Sequence, residues 1–199
     1  MGEGERGNNH ITMNKLDRHM RFSRYMFIGI ILLLLICPSY AQTTGTVAEY
    51  KVKAVYLYNF FNFVEWHGEV QDASTEEFRL CILGENPFGD ELDSLNGKMI
   101  KDKKLSIKKI KNISQASKCH MLYVSDSEED KLDEIISLTR KNGILTVSDL
   151  KNFAENGGVI NFVMENQTVK LKINVTEAER SKLKISSKLL SLAKIVKSK

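Results

Sequence analysis

Three acids stand where strands are expected to end. They are Glu85 in GENPFGDE, and Asp126 and Asp149, each closing a Val-Ser-Asp tripeptide (124–126 and 147–149). Carboxylates gathered at such strand ends can hold a magnesium ion. Ser127 and Asp149 are also natural helix caps, and capping is the simpler role. The loop GENPFGDE follows an apolar run, where many α/β proteins bind phosphates. A phosphate cradle needs several glycines, so that backbone N–H groups can approach the anion. Only Gly84 and Gly89 are present, Pro87 deletes one donor, and Glu85 and Asp90 repel an anion. Neither G-x-x-x-x-G-K-[ST] nor G-x-G-x-x-G occurs. Beyond residue 41 the histidines are His67 and His120, and H-E-x-x-H, Cys-x-x-Cys and G-x-S-x-G are all absent. His120 adjoins Cys119, but a strand sends adjacent side chains to opposite faces, which argues against an activated thiolate. These residues read as neither a catalytic set, nor a metal site, nor a cofactor site.

The cysteines have a second use. RHMRFSR gives a basic flank, YMFIGIILLLLIC (25–37) is an apolar run, Pro38 breaks it, and Ser39–Ala41 supplies small residues. That is the pattern of a secretory signal with cleavage after Ala41. The run is short for a membrane span, which takes about 20 residues; an uncleaved anchor is the alternative. Met20 would start a signal of ordinary length, so residues 1–19 are a candidate for a mis-called start. Export leaves Cys81 and Cys119 in an oxidising compartment, either as one bridge or as two buried thiols.

The elements that position these residues are expected within one domain, 46–199. The 199-residue chain is 42% hydrophobic and 27% charged, with a formal net charge of +4. Beyond residue 41 it holds 24 basic and 22 acidic residues, too near neutrality for non-specific nucleic-acid binding as its main job. AEYKVKAVYLYNFFNFVEW (48–66) predicts an amphipathic helix with Val52, Val55, Tyr56, Asn59, Phe60 and Phe63 on its apolar face. FRLCILG, CHMLYVSD and GILTVSD predict buried strands, and the 23-residue offset of Val-Ser-Asp predicts parallel neighbours joined by a crossover. Asn86 and Pro87 suit the start of a short helix after the first strand. SEEDKLDEIISLTRKNG predicts a helix stopped by Gly143. KKLSIKKIK predicts a strand with one wet face, whose lysines read as edge protection or as a basic binding patch. GGVINFVMENQTVKLKINV predicts a hairpin, with Ile160, Phe162 and Met164 facing Val169, Leu171 and Ile173. TEAERSKLKISSKLLSLAKIVK (176–197) predicts one helix, with Thr176 and Glu179 as its capping box and Leu189, Leu192, Ala193 and Val196 buried. The expected fold is therefore α/β: a single domain with a mixed sheet, parallel strand–helix units, a C-terminal β-hairpin and flanking helices.

KAVYLYNFFNFVEW, LCILGENPFGDELDSLNGKMI, CHMLYVSDSE, ILTVSD, GGVINFVMENQTVKLKINV and LKISSKLLSLAKIV together resemble the YfiR family of bacterial periplasmic proteins, in order and spacing, from about Tyr50 to Val196. The resemblance implies an exported repressor that binds the sensor domain of a membrane-bound diguanylate cyclase. Repression would restrain cyclic di-GMP and biofilm formation. It also implies an outer-membrane lipoprotein antagonist, a homodimer, and a disulfide matching Cys81 and Cys119. A second family pair, around the segment matching 147–159, is absent here, which leaves one structural bridge. Partner- or ligand-binding candidates are Tyr56, Phe60, Phe63 and Trp66 on the first helix, and Phe162 and Glu165 on the hairpin. Core packing competes for Phe162, and solvation at the turn for Glu165. The alternative function is a periplasmic small-ligand sensor, feeding a sensor kinase or transport system, with the four first-helix aromatics lining an apolar pocket.

Overall fold

A helix without Gly or Pro in its second half must choose which of its many apolar residues to bury. The computed structural model describes residues 43–67 and 76–198; the expected signal segment and start lie outside them. Helix α1 (Thr43–Phe63) buries Lys53, Ala54, Leu57, Phe60 and Phe61. Val52 and Val55, expected on the apolar face, instead remain about half exposed, at 46% and 50%. Apolar residues surround this helix, so periodicity alone could not select the buried stripe. The expected helix also ends early. Val64–Trp66 form strand β1, paired antiparallel with β9 (Leu183–Ile185), because the backbone there finds a partner far along the chain.

An eight-stranded mixed sheet follows. Its strands are β2 (Glu77–Leu83), β3 (Met99–Ile100), β4 (Lys103–Ile110), β5 (Met121–Val124), β6 (Leu145–Ser148), β7 (Ile160–Glu165), β8 (Thr168–Asn174) and β10 (Ala193–Val196), in the order β10-β8-β7-β6-β5-β2-β4-β3. The β4–β2–β5–β6–β7 run is parallel. The two Val-Ser-Asp copies are neighbours, with Val124 opposite Ser148. The central strands read as apolar runs because both faces are covered. Phe78, Leu80, Ile82, Met121, Tyr123, Leu145 and Val147 pack with α1 in one core. The alternate residues Cys81, Leu83, Leu122 and Val124 pack with Ile135 and Ile136 of helix α2 (Leu132–Asn142) in a second. α2 stops at Gly143 in the left-handed region, as its sequence predicts.

The β7–β8 hairpin has the expected register, Ile160 with Ile173, Phe162 with Leu171, and Met164 with Val169. Asn166 and Gln167 both take positive φ at its turn. After β2 the chain does not form the expected short helix. Gly84 (φ +86) lies too close to the Ser127 side chain to carry a Cβ. Asn86 Oδ1 accepts the Phe88 N–H, and turns lead to a single 3-10 turn at Asp93–Leu95. The asparagine serves a local turn in place of a helix cap.

The C-terminal segment corrects the expectation of one helix. It comprises α3 (Val175–Arg180), β9, α4 (Ser187–Leu190) and β10. Asn174, and not Thr176, caps α3 by accepting the Glu177 N–H. The buried Glu177 carboxylate receives Arg140 at 2.6 Å and Arg180 at 2.8 Å. Leu192, expected to be buried, is 67% exposed. No helix among the described residues is long and apolar enough to cross a membrane.

Candidate functional site

The aromatics of α1 divide into two groups. Tyr56, half-buried, and Phe60, fully buried, meet the buried Phe162 of β7, with ring centroids 5.9–6.0 Å apart in all three pairs. Phe63 is half-buried against the same core. Trp66 lies apart, stacked on Phe61 at 5.5 Å and tilted against Phe78 at 5.8 Å. The four first-helix candidates therefore fall into two separate groups. Glu165 is exposed near the hairpin turn, paired in register with Thr168.

Around Trp66 the elements converge on His120. The indole Nε1 donates to the His120 carbonyl at 2.8 Å, tying β1 to the start of β5. His120 Nδ1 accepts the Arg79 backbone N–H at 3.1 Å, which places the neutral ring's proton on Nε2. Both Phe78 and Trp66 meet the imidazole edge-on. Burial, with the charges of Arg79 and Lys103 added, pushes His120 down to about 4. A groove of about 390 Å³ opens here, lined by Val64, Glu65, Trp66, Phe78, Lys103 and His120.

A second polar centre sits at the end of β6. Asp149 Oδ2 accepts Lys53 Nζ at 2.6 Å and the Tyr50 hydroxyl at 2.9 Å; Oδ1 accepts the Tyr123 hydroxyl at 2.6 Å. Lys53 also pairs with Glu49 one turn earlier and lies 4.3 Å from the Tyr50 ring centroid. Burial alone would raise the Asp149 carboxyl. The hydrogen bonds from Lys53, Tyr123 and Tyr50, with the Lys53 charge, outweigh it, and Asp149 titrates below its ordinary range. Burial, then the Asp149 charge, pushes both phenols well above theirs. Three donors hold the carboxylate, so it acts as a strut between α1 and the sheet rather than a helix cap.

The other strand-end acids do not join it. The Glu85 N–H donates to Ser127 Oγ at 3.0 Å, its carbonyl accepts the Ser125 hydroxyl, and Asp126 Oδ1 accepts the Ser127 N–H. Among the described residues no three His, Cys, Asp or Glu side chains gather as metal ligands. Cys81 and Cys119 form a disulfide, with Cα atoms 6.0 Å apart and both residues 2% exposed. The sequence pattern did not single out Lys53 or the strut role of Asp149, and pointed to His120 only as a neighbour of Cys119. Lys53 carried a signal: it lies four residues before Leu57 and seven before Phe60, on the stripe that is buried.

Solved structures resemble the fold distantly. A ligand-free, open substrate binding protein with adhesive properties from Clostridium difficile is 12% identical over 61% of this chain and 55% of its own, with TM-score 0.46. A conserved domain protein from Vibrio cholerae is 11% identical over 74% and 60%, with TM-score 0.49. An ABC domain in complex with L-Trp from Streptococcus pneumonia is 10% identical over 60% and 55%, with TM-score 0.44. The chain thus spans little more than half the length of these proteins. No curated protein matches it. The family model described as YfiR/HmsC-like matches residues 50–194, and the chain belongs to the YfiR/HmsC-like family.

Proposed function

We propose that this protein is an exported, non-enzymatic regulator that binds and represses the periplasmic sensor domain of an inner-membrane diguanylate cyclase. Family membership across residues 50–194 carries the reading. The Cys81–Cys119 disulfide supports an oxidising compartment. Asp149, held by Lys53, Tyr50 and Tyr123 and lowered below its ordinary range, supports a structural role for this carboxylate rather than proton transfer near neutral pH. In this reading the protein works as a homodimer, and an outer-membrane lipoprotein sequesters it to release the cyclase. Deleting the gene should raise cyclic di-GMP and biofilm, and the purified domain should bind the cyclase's periplasmic domain. An unchanged cyclic di-GMP level with the cyclase intact would overturn the proposal.

A second reading, a small-ligand sensor, draws on the groove beside Trp66, the chain's one tryptophan. Its test is quenching of Trp66 fluorescence across a metabolite panel; no response would count against it.

A further inference from the structure

Residues 98–111 (KMIKDKKLSIKKIK) hold seven lysines and one acid, Asp102. The rest of the chain beyond residue 41 holds 17 basic and 21 acidic residues, so a net +6 is set against a net −4. The seven lie on β3, β4 and their flanks, at one edge of the large sheet. Lys98, Lys101, Lys104, Lys108, Lys109 and Lys111 are exposed, and none makes an ion pair with a described residue. Lys103 alone is drawn inward, 5.7 Å from the Phe78 ring centroid.

Edge protection accounts for only part of this set. Lysines guard an edge whose backbone is open to another strand. Here β3 covers Lys103 and Lys104. The Leu105 N–H donates to the Lys98 carbonyl at 2.8 Å, and its carbonyl accepts the Gly97 N–H at 2.7 Å. The Ile107 N–H donates to Asn96 Oδ1 at 2.9 Å. Protection can explain Lys108 and Lys109 at the open end of β4, and Lys98 and Lys101 beside the two-residue terminal strand β3; it leaves Lys104, paired with Met99, without a purpose, and seven lysines exceed what so short an open edge needs.

The same closure decides what kind of partner fits. An acidic peptide adding as a strand would find the β4 groups occupied by the Asn96–Lys98 segment, and on terminal strand β3 only two residues, with the Met99 carbonyl already accepting the Tyr58 hydroxyl. A small anion would need a cradle, but these charges spread over the roughly 26 Å of an eight-residue strand and onto both of its faces. All seven are lysines, point charges without the fork that arginine offers for bidentate recognition. Within them Met99 stands 51% exposed, and its carbonyl accepts the Tyr58 hydroxyl at 2.7 Å. A diffuse line of flexible cations around one exposed apolar side chain suits an extended anionic surface with an apolar layer beneath.

We infer that the β3–β4 edge docks this protein on the anionic phospholipid surface of a membrane, the lysines facing headgroups and Met99 entering the interface. This goes beyond the proposed repression, and its test involves no cyclase. Protein beginning at Gln42, which contains the compact unit Thr44–Lys199, is sedimented with vesicles of phosphatidylcholine alone or mixed with one-third phosphatidylglycerol. Binding should appear only with phosphatidylglycerol and disappear at about 0.5 M salt. Each edge lysine removed should weaken partitioning roughly fivefold, so Lys101→Gln/Lys104→Gln/Lys108→Gln should weaken it on the order of a hundredfold. The control Lys170→Gln/Lys188→Gln/Lys194→Gln, with two of its changes on β8 and β10 at the other end of the sheet order, should bind as the parent does. Thermal melts establish that both variants are folded. Equal binding to neutral vesicles, no binding to either kind, or equal loss in the two variants would overturn the inference. So would binding to soluble polyglutamate without vesicle binding, which would place an acidic protein at this edge.

Discussion

His120 makes the domain's stability depend on pH in a window that can be calculated. The free imidazole titrates near 6.5, and in the folded protein burial, Arg79 and Lys103 lower that to about 4. Between these values the unfolded chain binds a proton that the native state refuses. Stability therefore falls as pH falls from about 6.5 to about 4, by about 1.4 kcal/mol per unit at most. From pH 7.5 to pH 4.5 the loss through this group is about 2.5 kcal/mol. The geometry supplies the mechanism. Nδ1 accepts the Arg79 N–H, and a proton on Nδ1 would set donor against donor inside the Trp66–Phe78 enclosure. Asp149, held below its ordinary value, loses its stabilisation only under more acid conditions, outside this window. Urea unfolding at the two pH values, on wild type and on His120→Asn, isolates the effect. Asn Oδ1 can still accept from Arg79, and it does not titrate. Wild type should lose about 2.5 kcal/mol more than the variant between the two pH values. Equal losses in both proteins would refute the reasoning.

Replacing both Cys81 and Cys119 with Ala should cost about 3–4 kcal/mol, because the bridge closes a separation of 38 residues; the denatured, unreduced wild type should show no free thiol beyond residue 41. Lys53→Met should cost about 3–5 kcal/mol by leaving Asp149 and Glu49 without their cation. Adding Asp149→Asn should recover part of that loss in a denaturant-based double-mutant cycle.

The parallel strands, α2 and the hairpin were legible because each carries its own signal. They have apolar runs bounded by turns, a Gly143 stop, and alternation on both sides of Asn166–Gln167. The C-terminal segment was not legible, because Leu189, Leu192, Ala193 and Val196 mimic a helical stripe while their structure is set by distant partners. Ala193–Val196 pair with Leu171–Asn174, and Leu183–Ile185 pair with β1. Strand preference of that kind depends on neighbours more than on the residues themselves. The same limit hid the polar centre. Tyr50 and Lys53 meet Asp149 across 99 and 96 residues, so no local spacing could announce the cluster. The disulfide was suggested by compartment and by resemblance, and geometry could only follow.

The buried polar groups also bear on where regulation can act. Trp66 to His120, Tyr50 and Lys53 to Asp149, and Cys81 to Cys119 each cross between elements. Together they tie α1 and β1 to β5 and β6, and β2 to the start of β5. Around them the titrations are displaced outward: His120 to about 4, Asp149 below its ordinary range, Tyr50 and Tyr123 above theirs. None of these four groups changes charge in the folded protein near neutral pH. Groups so cross-linked, and unchanged in charge in the native state near neutral pH, are suited to hold a shape. Under the proposed regulatory function, recognition would fall to the parts these ties do not reach: Val52 and Val55 on α1, the hairpin end at Met164 and Glu165, and the lysine-lined edge of the sheet.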